Sequence, residues 1–328
     1  MNKWIIISAS LLPMLFIGCT EHSLNGDSPF KEDVLVNFSA RYAVDYDIDI
    51  VPEDLPELAT CDTRAADSAV KMGILGVAAT EDDVNADCLY GVTGDSFCTN
   101  MFNAEYKGTL PGTLKSMDGL PRVFPIEEKS ALAVYAYSPY KENALVVGDT
   151  SCYVQLNLVE EYMLNDYCYT GKVFQKKEGF GKDDMINLGF RHAFAKVKLD
   201  FSVVYPAEAQ AKDLRIDTLQ IGISGNGTGL FDLKNGMFYP EASEDSDEGY
   251  AFDLYEIMSA VNVNALTATT ELFIPPVIAL KDVKVVYRRR NSDETITRTV
   301  TFENELKYEK GKEYSISITL NVPKELYL

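Results

Sequence analysis

Cys19 is the residue whose neighbours most directly specify a chemistry. Lys3 precedes an apolar run through Ile5-Ile6-Ile7, Leu11-Leu12 and Leu15-Phe16-Ile17, and Gly18 stands directly before the cysteine. A charged start, a short apolar stretch and a small residue before the cut describe a secretory signal, and the run is short for spanning a bilayer. With cysteine as the first residue after the cut, its thiol becomes the acceptor of a fatty-acyl chain, as in a bacterial lipoprotein. Residues 1–18 are therefore expected to be removed, leaving a lipid-bearing Cys19 that tethers the chain to a membrane. Phe16, where leucine is preferred, is the main departure; the alternative is an ordinary signal in which Cys19 is incidental.

Other chemistry is sparse. Gly222-Ile223-Ser224-Gly225-Asn226-Gly227 has the outline of a nucleophile elbow, but Asn226 stands where glycine is required, so the stretch reads as a turn. His192, after Phe190-Arg191, reads as a structural histidine at the head of a strand. Asp83, Asn85 and Asp87 have the alternate spacing of a calcium loop without its glycine or closing glutamate, and Asp245 and Asp247 do no better. Beyond Cys19, the cysteines Cys61, Cys88, Cys98, Cys152 and Cys168 are an odd set, so one thiol stays out of any disulfide pairing. Their spacings match no zinc pattern, and with only His22 and His192 an imidazole-rich metal site is not available. Buried thiols with one or two bridges of undetermined pairing are the expectation. No phosphate-cradling loop or dinucleotide fingerprint occurs. The reading is of a chain without enzymatic activity, metal or cofactor.

Composition narrows the partners. A formal charge of −20 repels nucleic acid and anionic headgroups, which argues against nucleic-acid binding and against membrane contact beyond the acyl anchor. No second apolar stretch approaches the ~20 residues needed to span a bilayer. The roughly 310 residues left after the signal are enough for two domains with cores of their own.

The elements that must carry these residues are strands. Val34, Val36, Phe38, Ala40, Tyr42 and Val44 alternate with more polar neighbours, giving one extended segment, 34–44, with a strongly apolar face. Ala195, Val197, Leu199, Phe201 and Val203 alternate with Lys196, Lys198, Asp200 and Ser202. Tyr314, Ile316, Ile318, Leu320 and Val322 repeat the pattern near the end. In Leu214–Ser224 the apolar parity shifts between Ile216 and Leu219, which predicts a β-bulge or bend. Turns such as Lys234-Asn235-Gly236 punctuate the strands. Short alternating strands with frequent turns predict antiparallel sheets packed face to face. The polar, glycine-bearing stretch Lys176–Asp184 is the candidate linker, and Glu241–Gly249 an acidic loop.

Several stretches together resemble the fimbrillin, or Mfa-like, lipoproteins of Bacteroidales, the building blocks of surface pili. They are Val36-Asn37-Phe38-Ser39-Ala40, Thr63-Arg64-Ala65 and Ala133-Val134-Tyr135-Ala136-Tyr137-Ser138-Pro139-Tyr140 in the first half. The second half adds Leu188-Gly189-Phe190-Arg191-His192-Ala193-Phe194-Ala195-Lys196-Val197, Leu272-Phe273-Ile274-Pro275-Pro276 and Glu309-Lys310-Gly311-Lys312-Glu313-Tyr314. No one stretch is sharp; their order and spacing carry the likeness, and the cysteine after Gly18 supports it independently.

The resemblance implies an all-β chain of two tandem transthyretin-like antiparallel β-sandwich domains. The expected division is a tether over 19–33, an N-terminal sandwich over 34–185 whose first strand is 34–44, and a C-terminal sandwich over 186–328. It implies assembly with other fimbrial subunits by β-strand augmentation: an arginine-specific protease cuts behind the first strand, the strand leaves, and a neighbour's strand fills the groove. Arg64 occupies the position of the cleavage arginine. Arg41 is the competitor, inside the strand and inaccessible without unfolding. The expected route is an outer-membrane lipoprotein precursor that ends at the cell surface or in a fimbrium. Eight residues from Asn321 to Leu328 are too few for a long donor strand, so the expectation is a tip or accessory subunit that caps a fibre. The alternatives are an uncut anchor subunit or a non-polymerising surface lipoprotein that binds a host ligand or glycan. Against a sugar platform, the one tryptophan, Trp4, leaves with the signal, although nineteen tyrosines remain.

Overall fold

The alternation read in the sequence is realised as strands, and among the described residues there is no helix. The computed structural model describes residues 36–42, 47–48, 69–80, 101–124, 131–147, 151–158, 160–161, 164–204, 214–224, 227–241, 251–253, 267–289, 295–301 and 308–321. All of them lie in one compact unit, Val34–Leu328.

In the first half of the chain the strands are β1 Asn37–Tyr42, β2 Asp47–Ile48, β3 Val70–Ala79, β4 Ala104–Gly108, β5 Gly112–Thr113, β6 Lys115–Ser116 and β7 Ala131–Ser138. There follow β8 Leu145–Val147, β9 Cys152–Asn157, β10 Cys168–Tyr169, β11 Val173–Lys176 and β12 Met185–His192. The second half supplies β13 Ala195–Val204, β14 Leu214–Ser224, β15 Thr228–Asp232, β16 Phe238–Pro240 and β17 Ala251–Asp253. The last are β18 Thr267–Ile274, β19 Ala279–Arg289, β20 Thr295–Thr301 and β21 Lys312–Asn321.

One nine-stranded sheet runs β5-β1-β12-β10-β7-β3-β4-β6, with β11 also paired to β7. Three four-stranded sheets run β18-β13-β21-β2, β17-β14-β19-β20 and β16-β15-β9-β8. Most pairings are antiparallel, as expected of sandwiches. The sheets are nonetheless mixed: β1 lies parallel to β12, and β21 parallel to both β13 and β2. Parallel neighbours need a long crossover, and here many strands intervene in sequence, so periodicity gives no sign of them.

The large sheet is apolar on both sides where β7 crosses it. All eight residues of β7 are buried. Its odd positions, Ala131, Ala133, Tyr135 and Tyr137, join Leu75, Phe194, Val197, Phe231 and Leu272 in one core. Its even positions, Leu132, Val134 and Ala136, join Phe38, Met72, Ile74, Tyr106, Leu188 and Phe190 in another. A strand covered on both faces reads as a continuous apolar run, which is how Ala131–Tyr137 is written. The chain passes from the large sheet to the next between His192 and Ala195, because β12 pairs with β1 and β10 while β13 pairs with β18 and β21. The stretch Lys176–Asp184 connects β11 to β12 within the large sheet, and its Phe180 packs edge-on against Phe124.

Two local expectations are realised. In β14 the register against β19 shifts between Ile216 and Thr218, the parity break read from the sequence, and again between Gly222 and Ile223. At Lys234–Gly236 a hairpin joins β15 to β16, with Gly236 at φ +68° where a side chain would be strained.

Candidate functional site

Strand β1 is built as its alternation demands. Val36, Phe38 and Ala40 are buried, while Asn37 and Arg41 are exposed and Ser39 is half-buried. On one side the backbone runs parallel to β12, from Asn37 opposite Met185 to Tyr42 opposite Phe190. The Ser39 hydroxyl reinforces this side by donating to Asn187 Oδ1 at 2.6 Å. On the other side the segment from Gly112 to Arg122 clasps the strand. Ser39 and Ala40 pair with Thr113 and Gly112, the Leu114 N–H donates to the Phe38 carbonyl at 2.9 Å, and the Val36 N–H donates to the Arg122 carbonyl at 2.7 Å.

Beneath the strand, the Phe38 ring stands edge-on to Tyr106, and the Arg122 guanidinium lies over the Tyr106 ring at 5.7 Å from its centroid. Burial pushes the Tyr106 phenol up to about 12. Arg122 in turn bonds Asp118 Oδ2 at 2.7 Å and the Leu120 carbonyl at 2.9 Å. The Arg122 hydrogen bond, with help from Ser116 and the Leu120 N–H, holds the Asp118 carboxyl down to about 2. The clasp is thus fixed by a charge-assisted pair at its outer end and by an aromatic contact at its inner end.

The arrangement is a trough with a strand laid in it. Were β1 withdrawn, Ile186, Leu188 and Phe190 of β12 and the Tyr106 ring would lose their cover, and the inner edges of β12 and of the clasp would lose backbone partners. Val36 and Phe38 each contribute about 1.5–3 kcal/mol of burial, so a replacement strand must restore roughly 3–6 kcal/mol from these two positions. An extended segment with small-to-large apolar residues at alternate positions meets that requirement.

Of the residues singled out in the sequence, Val36, Phe38 and Ala40 are brought together on this inner face. Tyr42 ends the ladder through its backbone. Arg41 lies within β1 opposite Gly189, its backbone engaged with β12. Cys19, Val34, Val44 and Arg64 fall outside the described residues, as do Cys61, Cys88, Cys98, the acidic groups at 83–87 and 245–247, and residues 322–328. Cys152 and Cys168 are buried thiols. The clasp of Gly112–Arg122 and the β12 partner were not read from sequence. The one signal for the clasp is Leu110-Pro111-Gly112 followed by Leu114, a turn with an apolar return.

A fimbrillin-like family model matches residues 63–327. The chain belongs to the fimbrillin-like family. A fimbrillin-like protein is a structural or adhesive surface subunit, not an enzyme. No functionally curated protein matches this fimbrillin-like chain by sequence. Among solved structures it is similar to a candidate cell-adhesion protein from Bacteroides uniformis, at 14% identity and TM-score 0.47, covering 89% of this chain and 94% of that one. A candidate cell-adhesion protein from Bacteroides eggerthii gives 14% identity and TM-score 0.43, over 89% and 87%. The fimbrial anchor protein Mfa2 from Porphyromonas gingivalis gives 9% identity and TM-score 0.29, over 87% and 90%. Membership rests on the family match.

Proposed function

We propose that this fimbrillin-like subunit joins a surface fimbrium as the acceptor in a strand exchange, its β1 being displaced by a strand from a neighbouring subunit. The observation that carries the reading is the seating of β1: an N-terminal strand with Val36, Phe38 and Ala40 inward, held between a parallel neighbour and a clasp. A covalent cut behind such a strand leaves it bound by its buried face alone, so a competitor of better pairing takes its place. In this reading an arginine-specific protease cuts after Arg64, Cys19 carries the lipid that holds the precursor at the outer membrane, and the released subunit accepts at one end. Support for acceptance without donation comes from β21, which is paired with β13 along its length from Glu313 to Asn321, a partner that stays with the subunit after a cut behind Arg64.

The test is to treat the purified full chain with an arginine-specific protease, map the cut by mass spectrometry, and add a synthetic donor strand patterned on 34–44. Cleavage after Arg64 followed by exchange of the N-terminal fragment for the added strand is the expected result. Resistance of Arg64 in the folded protein would favour an uncut anchor or a non-polymerising lipoprotein. Self-polymerisation after cleavage would overturn the one-ended role.

A further inference from the structure

Asp166, Cys168 and His192 come together where β10 bridges β12 and β7 in the large sheet. The backbone dictates it: Cys168 on β10 lies directly opposite His192 on β12, and Asp166, two residues before Cys168, falls on the same face of an extended segment. Cys168 and His192 are buried and Asp166 shows only 6% of its side chain. The three donor atoms lie within 4.8 Å of one another. The His192 Nδ1 is 3.4 Å from Cys168 Sγ and 3.1 Å from each carboxylate oxygen of Asp166, and Sγ to Asp166 Oδ1 is 3.8 Å.

Thiol, imidazole and carboxylate also make up a nucleophilic triad, but the geometry excludes a relay. A relay needs the carboxylate on one ring nitrogen and the thiol on the other. Here both face Nδ1.

A cation would account for three metal-type donors packed within 4.8 Å of one another. Around a tetrahedral zinc ion, bonds of ~2.3 Å to sulfur and ~2.0–2.2 Å to nitrogen and oxygen put donor atoms about 3.3–3.6 Å apart. The observed separations of 3.1, 3.4 and 3.8 Å bracket those edges. Charge agrees as well: one thiolate, one carboxylate and a neutral imidazole balance a dication, and this mixed set suits zinc among the divalent ions. We propose that Asp166, Cys168 and His192 form a three-ligand Zn2+ site that ties β10 to β12. On binding, Cys168 gives its thiol proton to solvent, and the imidazole keeps its single proton on Nε2 with the Nδ1 lone pair on the metal. The second carboxylate oxygen or a water completes the shell. The site braces the strand beside β1, and it stands whether or not β1 is exchanged.

The test uses the full chain, stripped of metal and loaded with Co2+ or Zn2+. One equivalent of Co2+ should bind with a thiolate-to-cobalt charge-transfer band and tetrahedral d–d bands, and Zn2+ should displace it. C168S should lose the charge-transfer band, and D166N or H192Q should weaken Zn2+ binding by about tenfold or more. X-ray absorption of the Zn2+-loaded wild type, which needs no variant to fold, should show one sulfur at ~2.3 Å with nitrogen and oxygen at ~2.0–2.2 Å. No stoichiometric binding, an all-oxygen shell, two or more sulfurs, or a charge-transfer band retained in C168S would each overturn the proposal.

Discussion

Phe38 meets Tyr106 edge-on with ring centroids 5.3 Å apart, although five strand-to-strand steps separate β1 from β4 along the sheet. The large sheet is therefore folded over, and β1 closes the fold from the far side. Removal of β1 would uncover Phe38's partner Tyr106 and the interior behind it.

Phe38→Ala should lower the unfolding free energy by about 3–5 kcal/mol, since a wholly buried ring is lost against Tyr106. Asn37→Ala, one residue away on the exposed face, should change it by no more than ~0.5 kcal/mol. Denaturant melts of the two variants decide the matter, and equal effects would mean that β1 is not seated on its alternating face.

Gly73→Ala should be among the most disruptive small changes in β3. A Cβ there would lie 2.6 Å from Tyr137 Cζ, nearer still to Cε1, and 2.8 Å from Asn103 Oδ1. The Tyr137 ring is pinned, since its hydroxyl donates toward Asn103 Oδ1 at 2.8 Å and accepts from the Lys141 N–H at 3.2 Å. Overpacking of this kind costs about 1–3 kcal/mol, measurable as a lowered Tm.

At low pH the clasp should weaken. The Asp118 carboxyl sits at about 2 in the folded chain against 3.8 ordinarily, so its contribution is present above about 3.8 and is lost as pH falls through 2. With Asp118 half exposed the effect on overall stability is small. NMR titration should find this carboxyl near 2 in the wild type and close to 3.8 in Arg122→Met; an unchanged midpoint would remove Arg122 as the cause.

At high pH the buried phenols should resist ionisation. Burial raises Tyr106 and Tyr137 to about 12, and an acid raised on folding contributes stability that is present below its unfolded value of about 10 and lost as pH rises toward 12. Ultraviolet difference titration should show these two tyrosines ionising well after the exposed ones. Ionisation of every tyrosine near 10 in the folded protein would contradict their burial.

On the proposal that Cys19 carries the lipid, Cys19→Ser should release the protein from the membrane fraction or stall its processing, since several acyl chains on one residue, at ~0.8 kcal/mol per buried methylene, would hold where one is marginal. Unchanged fractionation of the variant would mean that Cys19 carries no lipid.

What could be read in advance followed from period two. The inward set Val36, Phe38 and Ala40 and the break after Ile216 depend only on neighbours in sequence, so they were legible. The β12 partner of β1 was not, because nothing local distinguishes a parallel neighbour about 150 residues away. The meeting of Asp166, Cys168 and His192 is not legible for a related reason: spacing along the chain does not show it, because a strand pairing brings His192 across from residues 24 and 26 positions earlier. The double burial of β7 was written plainly as an apolar run, yet such a run alone does not say which cores lie on its two sides.

The parallel ladder between β1 and β12 has a mechanical meaning. In the exchange proposed above, a strand in that position, whether β1 or one lent by a neighbour, would be pulled lengthwise when the fibre is under tension. Force along a ladder loads its hydrogen bonds side by side, in shear, so that they yield together and not one after another as in a peeled hairpin. The clasp adds the Val36 and Leu114 bonds along the strand's other edge. A joint built this way would resist lengthwise tension better than its few kilocalories of burial suggest.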